Sequence, residues 1–174
     1  MADHTTLSTK TPDTIIGLFK DREAAEHAYQ ALVNYGYTQD EITVVMTDET
    51  HKLHFLPVES NIEDKTLEGL GAGAAIGGGL GALVGVLAGM AVPGLGLVIA
   101  GPLVTGLTGA GTGTVAGGLI GALVGSGIRE EKAKFYAEEI GNGKILISVT
   151  PHTEAESTRI ESEWLDRGSE GVLR

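Results

Sequence analysis

Hydrophobic and polar positions near the N-terminus follow first a strand pattern and then a helix pattern. The run TIIGLF, residues 14–19, is short, apolar and rich in β-branched and aromatic side chains, which is typical of a strand. The next segment has helical spacing, with Asp21 as the predicted N-cap and Gly36 as the residue that ends the helix. Its predicted inward stripe consists of Ala25, Ala28, Tyr29 and Leu32. The run ITVVM, residues 42–46, has a period of two and predicts a second strand.

The same plan returns near the C-terminus. The run KILISVT, residues 144–150, alternates like a strand and follows a turn at residues 141–143. Thr153 and Glu156 have the spacing of a capping box, and the helix behind them ends at Gly168. The residues of this helix that we expect to face inward are Ala155, Ile160 and Trp164. The final residues GVLR predict a short edge strand.

These two strand-helix-strand halves predict one α+β domain. Neither half buries enough apolar surface alone, so we expect a four-stranded antiparallel sheet with two helices on one face, the ferredoxin-like arrangement. The domain is divided in sequence, over residues 14–64 and 129–174, and residues 1–13 form a polar tail that we expect to be disordered. Residues 65–128 are then an insertion whose two ends return to the same place.

The insertion differs sharply in composition from its flanks. From Gly69 to Ile128 the chain has 60 consecutive residues without Asp, Glu, Lys, Arg or His, and 21 of its 27 glycines lie there. Two series of glycines recur every four residues, which keeps each series nearly on one helix face and permits close approach of another backbone. The predicted helix-packing residues are Gly69, Gly73, Gly77, Gly81, Gly85, Gly89, Gly109, Gly113, Gly117, Gly121 and Gly125.

The two glycine series come into register if the insertion folds back on itself. Pro93 and Pro102 bracket an expected turn between two helices. A hairpin folded about Leu97 places Gly73 opposite Gly121. The sequence therefore predicts an antiparallel glycine-zipper hairpin of α-helices.

Charge and composition exclude some functions and favour others. With 12 Lys and Arg against 23 Asp and Glu, the formal net charge is −11, and no basic stripe is present, so nucleic acid is not an expected partner. Cysteine is absent, so there is neither a disulfide framework nor a thiolate metal site.

The uncharged hairpin is long enough for a bilayer. Residues 69–92 would reach about 36 Å as a helix, against a hydrocarbon core of about 30 Å. The spans are bordered by positive charges, which predicts that both termini lie in the cytoplasm. These bordering residues are Lys65, Arg129, Lys132 and Lys134.

Two further interpretations of the hairpin remain open. The segment Thr108–Gly118 has few large side chains, so it gains little stability from contact with lipid and much from contact with neighbouring helices. This favours a homo-oligomer. A soluble cytoplasmic shell or filament is therefore the alternative to a membrane protein. A water-filled pore is a third possibility, because hydroxyls can line such a lumen. The candidate hydroxyls are those of Thr105, Thr108, Thr112 and Thr114.

Candidate chemistry is sparse. His51 and His54 lie near Asp48 and Glu49, but without a third distant ligand this group is expected to be a solvated loop rather than a metal site. The run GAGAAIGGG lacks the Lys-Ser or Lys-Thr of a phosphate-binding loop, so no nucleotide cofactor is expected. Paired carboxylates at residues 138–139 and at residues 161 and 163 are expected on exposed helix faces. We therefore expect a protein that is not an enzyme.

The whole pattern resembles a known family. The segments IIGLFKDREAAEHAYQALVNYGYTQDEITVVM and GIREEKAKFYAEEIGNGKILISVT, separated by a glycine-rich apolar insert, are similar to those of bacterial general stress proteins of the heat-induced and low-temperature-induced kind. The similarity covers residues 14–174 almost entirely. It implies a stress-associated protein without an established catalytic activity, and it supplies no functional residue.

Overall fold

The computed structural model describes residues 13–55, 91–92, 96–103 and 115–173. Within these ranges the chain forms six strands and five helices. In chain order they are β1 (Ile15–Phe19), α1 (Arg22–Asn34), β2 (Ile42–Thr47), α2 (Asp48–His54), β3 (Ala91–Val92), β4 (Leu97–Ala100), α3 (Val115–Gly125), α4 (Glu130–Gly141), β5 (Ile145–Val149), α5 (Glu154–Asp166) and β6 (Glu170–Leu173).

All six strands belong to one antiparallel sheet, which confirms the predicted α+β class. The strand order is β3-β4-β2-β5-β1-β6, and each pair of neighbouring strands is antiparallel. The four strands expected from the flanking sequences therefore lie side by side, with β5 between β1 and β2 and with β6 at the edge. The helices α1 and α5 connect the strands that run parallel to one another.

Both faces of the sheet are covered, because apolar side chains point to both sides of its strands. Ile15 and Phe19 of β1 face α1 and α5 in one core. Ile16 and Leu18 of the same strand face a second core, which is built from α3, α4 and the other side of the sheet. The sequence predicts helices on one face only; the second layer is an addition, and the apolar residues on that face of β1 require it.

The ends of the two first-layer helices follow the predicted capping chemistry. The Asp21 side chain accepts a hydrogen bond from the Ala24 amide at 2.8 Å, and Gly36 adopts φ +93° just after α1. The Thr153 side chain likewise accepts from the Glu156 amide at 3.2 Å, at the start of α5. One detail is wrong: Ala155 is exposed, because it lies in the first turn on the outer side of the helix.

The expected turn about Leu97 is also wrong. Leu97–Ala100 forms the strand β4, which pairs with β2 from Val44 opposite Ala100 to Thr47 opposite Leu97. All four residues of β4 are buried, so pairing with the sheet removes an apolar run from water. Residues assigned to the insertion by sequence thus contribute a strand to the domain.

Candidate functional site

The helix α3 is apolar all round, although only one of its sides is buried. It has neither a charged nor an amide side chain along its length. Its inner side packs into the second core through Leu119, Ala122 and Leu123, each at most 1% exposed. Its outer side is exposed and presents small or apolar residues only, and we call this surface the α3 outer face. The α3 outer face consists of Ala116, Gly117, Gly121, Val124 and Gly125.

Three of the predicted helix-packing glycines lie together on the α3 outer face. Gly117, Gly121 and Gly125 are spaced four residues apart and are all exposed. A Cβ atom built on Gly121 or Gly125 would meet no atom of the described residues within 4 Å. The remaining predicted packing residues lie outside the described ranges, so the pairing between the two series stays a prediction. These residues are Gly69, Gly73, Gly77, Gly81, Gly85, Gly89, Gly109 and Gly113.

Polar chemistry concentrates instead where β2 begins and β5 ends. Because β2 and β5 are antiparallel neighbours, the loop before β2 lies beside the loop after β5. His152 Nε2 lies 3.0 Å from Glu41 Oε1, and the His152 ring stacks on Tyr37 with 4.7 Å between ring centroids. Tyr37 donates its hydroxyl hydrogen to Glu156 at 2.7 Å. These four residues, Glu41, Tyr37, His152 and Glu156, form a cluster that we call the loop cluster.

In the loop cluster, the ionised form of Glu41 is stabilised by hydrogen bonds from Thr38 and by its contact with His152. Glu41 Oε2 accepts hydrogen bonds from the backbone amide and from the hydroxyl of Thr38, both at 2.8 Å. These two bonds, together with the contact to His152, lower the pKa of Glu41 to about 2. Burial, helped by the bond to Glu156, raises the pKa of Tyr37 to about 12. The pKa of Glu156 is lowered as well, so around neutral pH the cluster holds two carboxylates next to the neutral phenol of Tyr37.

The two histidines expected in a solvated loop lie on a helix instead. Residues Asp48–His54 form α2, and the side chain of Thr47 caps it by accepting a hydrogen bond from the Thr50 amide at 3.0 Å. His51 is 9% exposed and stacks on Phe55, and its burial lowers its pKa. The expectation of a solvated loop is wrong for His51, because α2 turns this residue inward. No group of three or more His, Asp or Glu side chains that could hold a metal ion occurs in the described ranges.

The paired carboxylates are more engaged than the sequence suggested. Glu139 forms an ion pair with Lys144, which also pairs with Glu170. Glu163 accepts a hydrogen bond from the Tyr35 hydroxyl and pairs with Arg167 at 3.0 Å. Glu139 and Glu163 are only partly exposed, and they connect secondary-structure elements instead of facing solvent alone.

Sequence reasoning missed the loop cluster, although a signal was present. Glu41 directly precedes one strand, and Pro151 and His152 closely follow another. Polar residues at these two positions meet only if β2 and β5 are neighbours, which the predicted fold implies. The pairing of β2 with β5 therefore creates a cluster of interacting polar side chains at one end of the sheet.

One property of the described helices and three searches for similar proteins bear on function. Among the described helices, none combines the length and the apolar character that crossing a bilayer needs. Searches of protein-family models, of curated proteins and of solved structures find no match to this chain.

Proposed function

We propose that the protein is a non-catalytic assembly protein, in which an acidic α+β domain holds a glycine-rich apolar segment and joins copies of the chain through it. The proposal rests on one observation: the α3 outer face is exposed although it carries no polar side chain. Exposed apolar surfaces of this kind mark sites of interaction with a partner. Glycines along such a face permit close contact between backbones.

The partner that we propose for the α3 outer face is the glycine series of a neighbouring copy. Within the part of the chain that the structure describes, the space beside Gly121 and Gly125 is open, so the face can receive a second molecule. The series from Gly69 to Gly89 has the same four-residue spacing as the face, so two copies that meet antiparallel can adopt a register with Gly73 opposite Gly121. Matching spacing on both partners favours self-association over binding of an unrelated protein.

The structure and charge of the α+β domain support its proposed role of holding the glycine-rich apolar segment. Its strand order β2-β5-β1-β6, with α1 and α5 sharing one face, supports a ferredoxin-like assignment for the part outside the insertion. The chain carries a formal net charge of −11, and its charges lie outside the run from Gly69 to Ile128. A role in stress rests on the resemblance given above and is part of the proposal. Mutual repulsion of the acidic domains would keep assembled copies dispersed.

Sedimentation of the full chain and of two glycine variants tests this proposal. Gly121→Leu blocks the α3 outer face, while Gly141→Leu adds the same side chain at another open position, the last residue of α4. We expect the wild type and Gly141→Leu to form oligomers of equal mass, and Gly121→Leu to associate at least tenfold more weakly. A wild type that is monomeric at every concentration contradicts the proposal. So does a Gly121→Leu variant that assembles normally.

A membrane location for the assembly is a second proposal, and the charge-free run of 60 residues favours it. With β4 in the sheet and α3 packed on it, the part of that run before Ala91 is the part that we propose to contact lipid. The charged domain and both termini would then lie in the cytoplasm. Alkaline carbonate washing of a membrane fraction tests this: retention in the pellet supports it, and release into the supernatant contradicts it.

A further inference from the structure

A cleft of about 200 Å³ lies beside the loop cluster, on the second face of the sheet. Its floor is a row of side chains across three neighbouring strands, Ile16, Ser148 and Thr43, which the strand register places next to one another. Its walls are apolar and come from Leu103, Leu123 and Ile128. The helix α3 ends at Gly125, and Ser126 and Ile128, which follow it, line the cleft.

The mouth of the cleft is polar and carries one negative charge. Thr14 and Thr150 lie there, with their hydroxyl oxygens 2.9 Å apart, together with Glu41. Of the described residues that line the cleft, Glu41 is the one that is charged. A ligand that fits this lining has an apolar part for the walls and a group of opposite charge for Glu41. An anion would meet this carboxylate, and no cationic side chain among the described lining residues would offset the repulsion.

Glu41 is held in place and still has capacity for one more hydrogen bond. A carboxylate offers about four acceptor positions, and three are used by the Thr38 amide, the Thr38 hydroxyl and His152. His152 is itself fixed by its stack on Tyr37 and by its backbone amide, which donates to Glu156 at 3.1 Å. Binding residues whose positions are fixed by a second layer of contacts lose little entropy when a ligand arrives.

We propose that this cleft binds a small organic ammonium ion with a short apolar chain, its ammonium group donating to Glu41 and its chain lying between Leu103, Leu123 and Ile128. The volume fits such a molecule. Water occupies about 30 Å³ per molecule in the liquid, so the cleft holds about six or seven waters or a ligand with a similar number of non-hydrogen atoms. The inference is independent of the proposed function, because no residue of the α3 outer face lines the cleft.

The test compares three probes with one apolar chain and different head groups. Butylammonium, butanol and butyrate are titrated into the full-length protein, and ligand-detected NMR gives each dissociation constant. We expect saturable binding of butylammonium, at least tenfold tighter than that of butanol, and no binding of butyrate. Absence of saturable butylammonium binding overturns the proposal, and so does equal binding of butanol.

Three variants locate the site. Glu41→Gln keeps the shape of the side chain and removes its charge, so we expect it to weaken butylammonium binding at least tenfold. Glu138→Gln removes a charge from an exposed position on α4 and should leave binding unchanged. Ser148→Leu fills the cleft from its floor and should abolish binding, with the fold checked by circular dichroism. Unchanged binding in Glu41→Gln or in a folded Ser148→Leu variant overturns the proposal.

Discussion

Gly17 lies directly against the indole ring of Trp164. A Cβ atom built on Gly17 would come 2.7 Å from Trp164 Cε3 and 3.1 Å from Cε2 of Phe19. The rings of Phe19 and Trp164 meet edge to face, with 5.6 Å between centroids. The largest side chain of the first core therefore occupies the space that a side chain at position 17 would need, and this allows α5 to pack closely on β1.

Gly17→Ala is expected to destabilise the domain by about 1 to 3 kcal/mol, because the added methyl group overpacks a core in which the Trp164 ring is fully buried. Urea denaturation measures the loss. Gly141→Ala is the matched control, since a Cβ there meets no atom within 4 Å. Equal stability of the two variants would show that the contact between Gly17 and Trp164 is not tight in solution.

Gly101→Ala is expected to detach the end of β4 from β2. Gly101 has φ +87°, and a Cβ there would lie 2.1 Å from the carbonyl oxygen of Ile42. The left-handed backbone alone costs about 1 to 2 kcal/mol for a residue other than glycine, and the clash adds to it. Hydrogen exchange at residues 98–100 should accelerate more than the global stability loss explains.

Gly127→Ala separates the effect of backbone strain from the effect of the steric clash. Gly127 has φ +95°, but a Cβ there meets no atom within 4 Å, so this variant carries backbone strain without the clash. We expect it to leave exchange in β4 unchanged. If Gly101→Ala behaves like Gly127→Ala, β4 does not lie in the sheet as described.

The tyrosines should resist ionisation until the domain unfolds. Burial raises the pKa of Tyr29 and of Tyr136 from 10.0 to about 12, and the pKa of Tyr37 is also about 12. A raised tyrosine pKa contributes stability that is complete below the unfolded value of 10.0 and is lost as the pH rises through about 12. Near-ultraviolet absorbance should therefore show tyrosinate forming together with loss of circular dichroism. Ionisation of all four tyrosines near pH 10 in a folded protein contradicts this.

Glu41 should stabilise the domain in neutral solution and not in strong acid. Its pKa is lowered from 4.5 to about 2, so its contribution is present above pH 4.5 and is lost as the pH falls toward 2. Glu41→Gln is expected to lower the urea midpoint at neutral pH and to have little effect near pH 2. An equal shift at both pH values would mean that the ionised form of Glu41 is not the one held by Thr38 and His152.

The flanking elements could be predicted because their signals are local. Asp21, Gly36 and Thr153 mark helix ends within a few residues of the chain. The strand β4 depends instead on a partner far away in sequence, and a short apolar run between glycines looks the same in a turn, a strand or a buried helix. Periodicity alone therefore assigned Leu97 to a turn.

The second layer of helices and the loop cluster were harder to predict from the sequence, for a related reason. Ile16, Leu18 and Leu146 are apolar on the face opposite the first helices, which indicates that something covers them, but not which segment does so. The covering segments are α3 and α4, and the glycines of α3 favoured contact with another helix instead of a sheet. Glu41 and His152 lie 111 residues apart, so only strand pairing brings them together.

The central claim is that copies of this chain meet through the α3 outer face and the glycine series that begins at Gly69. The chain has no cysteine, so single introduced cysteines report contacts without background. Gly73→Cys and Gly121→Cys proteins are mixed and oxidised, and the Gly73→Cys and Gly141→Cys mixture serves as control. We expect a mixed disulfide dimer in the first mixture and little in the second. Equal yields, or no mixed dimer in the first mixture, would contradict the proposed contact between copies.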